Sequence, residues 1–543
     1  MLPIWISPQA RIANLSYVST DPYGAVWFLT WTPFAITHGH TAFVTDYVNY
    51  PMGTNMMWQT WMPALAILLW PVTALGGAVL TDNLITTLGF ALSAFFAFLA
   101  IRRYVRSDLA AALGGLLYGF SPYMVAQGQV HAQMVSAAMA IPLFLIGVDE
   151  TLIRQRMRPW LLGILTAAAL VFEFFVLEEY FLMEVFAAVL LAGILAVCYP
   201  RQVRARIGYA LKVAGVALVV VVAAIAYPVI AVQLLGPDRV FEQLHDPNTY
   251  VTDLLNLIVP TSTQLLAPSV ATDLSHAFTG NISELDGYLG VGLVLVFLIA
   301  AVAWWRKPVI RVSALFAVLT TLLSLGPHLH VGGHQLSFPL PYSAVVQVPL
   351  IRDIQANRLM VFVFLALAVL VGVVLSVLWR ERRRPLLALI VTAMVFVPLI
   401  PHVPISWQPY PQPTFFSAAA LEEIPRDSVV LTVPCLCPYA NSVLAAQSST
   451  NFRFKLIGGY LPGPLSPGQD TLRNVARMLA GEHPVAALDD TQRTSLLQEL
   501  QDSHVTVIAM GPVPNQAQSA ALLSDVLGIA PMVRGNTDLW FLS

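Results

Sequence analysis

Charge is what this sequence has least of. Asp, Glu, Lys and Arg make up 11% of its 543 residues, against 57% hydrophobic residues, and its mean hydropathy is +0.71. An average soluble domain carries about 25% charged residues. The deficit excludes an ordinary soluble chain and predicts a polytopic membrane protein. A net charge of −2 says nothing about nucleic acid; the basic residues read as topology markers rather than a binding surface, and no nucleic-acid partner is expected. Cysteine is scarce as well. Three in the whole chain exclude a disulfide framework; Cys198 falls in a lipid-like helix, and Cys435 and Cys437 form a CxC without the second ligand pair of a zinc site. The Gly/Pro loop IGGYLPGPLSPG (457–468) has neither a GK[ST] ending nor a strand-to-helix GxGxxG around it, which excludes a phosphate-cradling nucleotide loop. No internal repeat is visible, so the inverted-repeat logic of many transporters finds no support.

What the chain does have is a series of apolar stretches long enough to cross a hydrocarbon core about 30 Å thick. Ten spans are predicted, near 82–101, 109–126, 134–152, 160–177, 181–199, 209–235, 288–305, 310–326, 358–380 and 385–402. Five basic clusters fall on alternate connections: Arg102, Arg103 and Arg106; Arg154, Arg156 and Arg158; Arg201, Arg204 and Arg206; Arg306, Lys307 and Arg311; Arg380, Arg382, Arg383 and Arg384. By the positive-inside rule they mark the cytoplasmic side. The long polar segments 1–81, 236–287, 327–357 and 403–543 then lie on the exoplasmic side. Residues 1–17 cannot span and, with no apolar core after a basic start, do not resemble a signal peptide. Residues 62–80 are apolar, but counting them as a span would break the alternation; they are read as an interfacial or re-entrant helix pair, interrupted at Pro71 and Gly76. After His402 the composition turns soluble. SVVLTV, HVTVIAM and DLWFL read as strands, and QDTLRNVARMLA, TQRTSLLQELQ and AQSAALLSDVLG as amphipathic helices. The expectation is three parts: an exoplasmic first loop over 1–81, a transmembrane helical bundle over 82–402, and a small exoplasmic α/β domain over 403–543.

One short stretch poses a physical question. FEFFVLEEYFLMEV (172–185) places Glu178 and Glu179 side by side within an apolar run from Trp160 to Tyr199. As one helix that run would be about 60 Å long, twice the membrane core. It must be two spans, and the turn between them, with both carboxylates, is expected at the outer interface. Glu173 and Glu184 lie deeper, where ionisable groups are costly and usually functional.

Other polar features gather on the same side. Asp21 and Asp46 flank an aromatic segment (STDPYGAVWFLTW, then HGHTAFVTDYVNYPMGTN) expected to lie along the membrane surface, and Asp21 also suits a helix N-cap. A helix ending at Ser121–Pro122 delivers Gln127, Gln129 and His131; a histidine there suits proton transfer or phosphate contact. The loop 324–358 carries His328, His330, His334, Arg352 and Arg358. Arginine outside runs against the charge bias, and bidentate contact with a phosphate would account for Arg352 and Arg358. The pairs His38/His40 and His328/His330 lack a carboxylate at a diagnostic spacing. No cofactor or metal is therefore indicated. A pocket of this kind suits a sugar carried on a polyprenyl phosphate, whose tail dissolves in lipid while its C1 sits at the interface. A carboxylate would act as general base on the acceptor, with Arg or His against the departing phosphate.

The run DPYGAVWFLTWTPFAITHGH, followed by NYPMGTNMMW, LGGLLYGFSPYM and the paired LEEY, resembles the polytopic GT-C glycosyltransferase superfamily, in particular an actinobacterial-type group. DLLNLIVPT, SELDGYLG, LGPHLHVGGH with PLPY, and FRFKLIGGY also fit that group's pattern, so the resemblance covers nearly the whole chain. It implies a membrane helical bundle whose first exoplasmic loop carries an acidic catalytic residue just after a first transmembrane helix. Asp21 occupies that position, although residues 1–17 do not supply such a helix. The expectations are then Asp21, Glu178 and Glu179 as catalytic carboxylates, and Asp46, His131, Arg352 and Arg358 as substrate-binding residues. The implied partners are a polyprenyl-phosphate sugar, a glycan, lipid or protein acceptor, and membrane lipids. Two other classes stay open: a non-catalytic protein that binds or moves lipid-linked sugars or envelope lipids, and a secondary transporter using Glu173 and Glu184.

Overall fold

A computed structural model describes the chain except residues 1, 15–20, 237–244, 349–350, 382–383, 411–415, 435–440, 460, 462–467 and 543. Cys435, Cys437 and most of the 457–468 loop thus lie outside the described residues. The chain divides into two compact units, one of residues 1–3, 83–225 and 240–406, the other of 4–82, 226–239 and 407–543.

The first unit is a helical bundle. The apolar runs form α1 (Ala78–Arg102), α2 (Asp108–Gly119), α3 (Ala132–Arg154), α4 (Pro159–Phe174), α5 (Glu178–Cys198), α6 (Pro200–Leu234), α7 (Gly290–Ala303), α8 (Pro308–Ser324), α9 (Ala356–Arg380) and α10 (Pro385–Leu399). Five of them, α1, α3, α5, α6 and α9, are long and apolar enough to cross a membrane on their own. The chain is a multi-pass membrane protein. Starts are written locally: α4, α8 and α10 each carry Pro in the first turn, where its missing N–H costs nothing. Helix α9, apolar on every side, is buried along its length between α8 and α2, as an all-round hydrophobic helix must be. Close approach rests on small residues. A Cβ at Gly114 of α2 would meet the Ala368 carbonyl of α9 at 2.8 Å, and one at Gly292 of α7 would meet the Met394 carbonyl of α10 at 1.9 Å.

The first four arginine clusters converge at one end of this bundle. Arg103 pairs with Asp149 and Glu150, Arg154 donates to the Arg103 carbonyl, Gln155 donates to the Arg206 carbonyl, and Arg311 stacks over Tyr199. Between α8 and α9, the loop 324–358 contains a hairpin, His328–Val331 with His334–Pro339. Gly332 and Gly333 turn it with φ of +63° and +80°, the geometry of a tight hairpin turn. The Asp253 carboxylate accepts both of their N–H groups at 3.0 and 2.8 Å.

The second unit contains the α/β domain expected after His402. Strands β1 (Ser428–Val433), β2 (Phe454–Leu456), β3 (Val507–Met510), β4 (Met532–Arg534) and β5 (Thr537–Phe541) form a sheet in the order β4-β5-β3-β1-β2. The β1 pairings with β2 and β3 are parallel, and those of β5 are antiparallel. The helices Asp470–Leu479, Asp490–Asp502 and Gln516–Leu527 cover a core that includes Leu431, Leu472, Leu496, Ile508 and Trp540. A capping box between Asp489 and Gln492 starts the second of them.

This unit also corrects one expectation. The helix Asp21–Thr37 does not present an amphipathic face for a membrane surface: Pro22 to Leu29 and Trp31 to Ala35 are all buried. It packs against the Asn441–Ser449 helix, where the Trp27 indole N–H donates to Gln447 at 2.7 Å. Its apolar residues go all round rather than along one stripe, so burial, not partial immersion, is the favourable state. Arg11–Ala13 likewise pairs with Trp407–Pro409. Residues 63–76 form two short helices, Pro63–Leu68 and Trp70–Gly76, that meet at Leu69 with Pro71 in the first turn of the second; the positive-φ Gly77 (+86°) separates them from α1.

Candidate functional site

Polar residues of the bundle's loops concentrate opposite the four-cluster arginine end, where α5 begins. Glu178 and Glu179 are not in the connecting turn, as expected, but in the first turn of α5. The correction has a plain cause: the free N–H groups and positive dipole end of a helix favour carboxylates there. The Glu179 side chain bridges to the segment entering α9. One oxygen accepts the Gln355 N–H at 2.9 Å, and the other forms an ion pair with the Arg358 Nη1.

The same guanidinium has a second carboxylate. Arg358 Nη2 lies 2.6 Å from Glu284 Oε1, and Nε lies 3.4 Å from Oε2. Asn357 donates to the Glu284 Oε2 at 2.7 Å and to its carbonyl at 3.0 Å. Gln127 Nε2 donates to Glu284 and to Asp286, both at 3.0 Å. With both amide hydrogens so used, Gln127 Oε1 is the acceptor facing His131, and His131 Nδ1 donates to it at 2.6 Å. Glu284, Asp286, Asn357, Arg358, Gln127 and His131 are all buried. Beside them the Tyr123 and Tyr180 hydroxyls hydrogen-bond to each other.

Two carboxylates, Glu179 and Glu284, therefore share one guanidinium, and Asp286 joins them through Gln127. Burial alone would raise Glu284, but the charges of Arg358 and His131, with hydrogen bonds from Arg358 and Asn357, hold it at about 2. Asp286 is pushed well above the usual carboxylate range by its burial and by the Glu284 charge, and its Oδ1 has no hydrogen-bond partner among the described residues. Glu284 is thus favoured as the anion, while burial and the Glu284 charge disfavour ionisation of Asp286. Both belong to SELDGYLG, and neither was singled out from sequence.

The other expected residues are placed as follows. His131 and Arg358 join this cluster through Gln127 and Glu284. Arg352, on the same loop segment, keeps 28% of its side chain exposed and makes a loose 3.6 Å pair with Asp353. It borders a small recess of about 20 Å³ with His245, Asp246 and Tyr250. Asp21 and Asp46 belong to the second unit. Asp21 is the first residue of the Asp21–Thr37 helix, inside its first turn rather than ahead of it at the N-cap. Asp46 forms an ion pair with Lys455 of the FRFKLIGGY motif, whose ammonium also lies 5.1 Å from the Tyr50 ring centre. Glu173 and Glu184 are fully buried in α4 and α5. Among the described residues no three His, Cys, Asp or Glu side chains converge as metal ligands.

Residues 19–397 match a family profile described as Domain of unknown function (DUF6311). The chain belongs to this family. The match takes in all the residues of the carboxylate cluster and Asp21, and ends before β1. Comparison with curated proteins found no match. Among solved structures, arabinofuranosyltransferase AftD from Mycobacteria superposes with a TM-score of 0.57 at 14% identity, over 100% of this chain and 39% of that one. The chain thus spans well under half the length of AftD. The oligosaccharyltransferase AglB from Archaeoglobus fulgidus, in complex with an inhibitory peptide and a dolichol-phosphate, gives 0.47 at 12% identity, over 92% and 66%. ArnT from Cupriavidus metallidurans gives 0.40 at 11% identity, over 99% and 95%. The likeness to AftD identifies the fold as GT-C, as the sequence resemblance implied.

Proposed function

We propose that the chain is a membrane glycosyltransferase that moves a sugar from a polyprenyl-phosphate donor to a glycan, lipid or protein acceptor on the side of the membrane away from its arginine-rich end. In this reading the membrane is the bacterial inner membrane and the α/β domain is exoplasmic. The observation that carries the reading is the buried carboxylate–guanidinium cluster at the start of α5, in a chain of GT-C fold. The acceptor oxygen attacks C1 of the sugar, its proton passes to a carboxylate, and the bond from C1 to the phosphate oxygen breaks with the electron pair leaving on the phosphate.

Asp21 is assigned the base on the sequence resemblance, and Glu178, at the first turn of α5, is the second candidate. Glu179 has both oxygens committed, to Gln355 and Arg358, which makes it a poorer proton acceptor. Arg358 is neutralised by Glu179 and Glu284, so its part is to clamp the Gln355–Arg358 segment and, through it, to place Arg352 toward the departing phosphate. His131 and Gln127 keep Glu284 oriented, and Asp46 with Lys455 offers a charged pair for sugar hydroxyls. The saturation of Arg358 also favours a second reading, a non-catalytic binder of lipid-linked sugars.

Native mass spectrometry of the purified chain with polyprenyl-phosphate sugars, beside Asp21→Asn and Arg352→Ala, separates the two. Donor bound by all three proteins, with polyprenyl phosphate released only by the wild type, supports the transferase. Donor bound and never released points to the binder. No bound donor in any of them refutes both.

A further inference from the structure

A second site lies at the opposite end of the bundle. Helices α3, α5, α6, α8 and α9 line a cavity of about 490 Å³ whose wall is apolar, with Phe144, Leu191, Phe316 and Leu365 among its lining residues. Its polar lining residues, including Tyr104, Asp149, Arg154 and Arg206, come from helix ends beside the arginine clusters. The cavity is therefore a greasy shaft with a charged mouth. Along α5 its lining runs from Ala187 to Tyr199, about 18 Å at 1.5 Å per residue, slightly more than one leaflet of a hydrocarbon core about 30 Å thick.

The mouth is not electrically balanced. Arg103 lies 2.7 Å from Asp149 and 2.5 Å from Glu150, and Arg154 lies 2.7 Å from Asp149. These two cations and two anions cancel. Arg206 is left over: half-buried, it makes no side-chain hydrogen bond or ion pair among the described residues, while its backbone carbonyl is held by Gln155 at 3.0 Å. A half-buried guanidinium gains most from a planar or bidentate anion such as a phosphate oxygen pair. An apolar shaft one leaflet deep excludes a small soluble anion as the occupant that fills it.

We infer that this cavity binds an acidic glycerophospholipid, its acyl chain in the shaft and its phosphate on Arg206. Basic recesses between membrane helices on the arginine-rich side commonly take such headgroups. The site is independent of the transferase reading, since it lies at the other end of the bundle from the carboxylate cluster.

The test uses the full chain in mixed micelles of phosphatidylglycerol and phosphatidylcholine, with native mass spectrometry of the retained lipid and thermal unfolding as a second readout. Wild type is expected to retain phosphatidylglycerol in preference, and to unfold at higher temperature as it is added. Arg206→Ala should cut that preference about fivefold, the usual effect of one basic residue near an anionic lipid. Arg204→Ala, exposed on the same segment and outside the cavity, should leave it unchanged. Equal retention of both lipids by the wild type, or an equal loss in Arg204→Ala and Arg206→Ala, overturns the assignment. So does displacement of phosphatidylglycerol by polyprenyl phosphate at equal concentration.

Discussion

Replacing Arg358 by Met keeps the length of the side chain but leaves Glu179 and Glu284 facing each other's charge without a cation between them. The magnitude can be worked from Glu284. Its carboxyl is held at about 2 against an ordinary 4.5, and at 1.36 kcal/mol per unit this net preference for the anion is worth about 3 kcal/mol. Removing one partner of a buried ion pair costs about 3–5 kcal/mol in other proteins, so a loss of that size is expected near pH 7. Equilibrium unfolding in mixed micelles measures it. Adding Glu284→Gln to Arg358→Met should recover part of the loss, because removing both partners is cheaper than stranding one. The pH dependence has a fixed sign. A depressed folded value means that this contribution is fully present above about 4.5 and is lost as pH falls toward about 2. A cost below about 1 kcal/mol, or no recovery in the double variant, would refute the clamp.

Asp286 behaves oppositely. Its folded value is raised from 3.8, so ionisation opposes folding once the pH exceeds that number, and Asp286→Asn should leave stability unchanged or raise it at neutral pH. Unfolding curves that show a clear loss would contradict this. Asp253→Ala removes the acceptor for the Gly332 and Gly333 N–H groups; hydrogen exchange at those two amides should speed up, with about 1–2 kcal/mol of local stability lost, and unchanged exchange would count against the brace. Gly292→Ala puts a methyl against the Met394 carbonyl at 1.9 Å, so α7 and α10 must separate. The expected result is overpacking of about 1–3 kcal/mol or more, read as a lower unfolding temperature in detergent, whereas an unchanged temperature would mean the two helices yield freely.

How much of this was legible depended on the distance over which each feature is decided. The bundle helices could be read because a membrane demands length and apolarity locally, and the strands of the α/β domain because Val429–Val433 and Val507–Met510 are runs of β-formers. The placement of Glu179 was readable only to a turn; its partner Arg358 is 179 residues away, and no local pattern links them. Glu284 and Asp286 sit in a polar loop without periodicity, where an acid looks like a solvated residue until the fold buries it. The burial of the Asp21–Thr37 helix could have been suspected from its lack of a polar face, but its partner helix, Asn441–Ser449, lies at the other end of the chain. Arg352 and Arg358 were treated alike, and only the carboxylates around Arg358 distinguish them.

The bond from Trp27 to Gln447 spans 420 residues, and it carries a cost in time. At about 5–20 residues per second, the Asp21–Thr37 helix is made some 20–80 s before the helix that covers it exists. During that interval its two tryptophans and their neighbours have no native cover, while the apolar helices between must be threaded into lipid. Synthesis therefore leaves the early aromatic helix in need of a temporary guardian, whether the translocon, a chaperone or the bilayer itself, and any slowing of translation lengthens that wait.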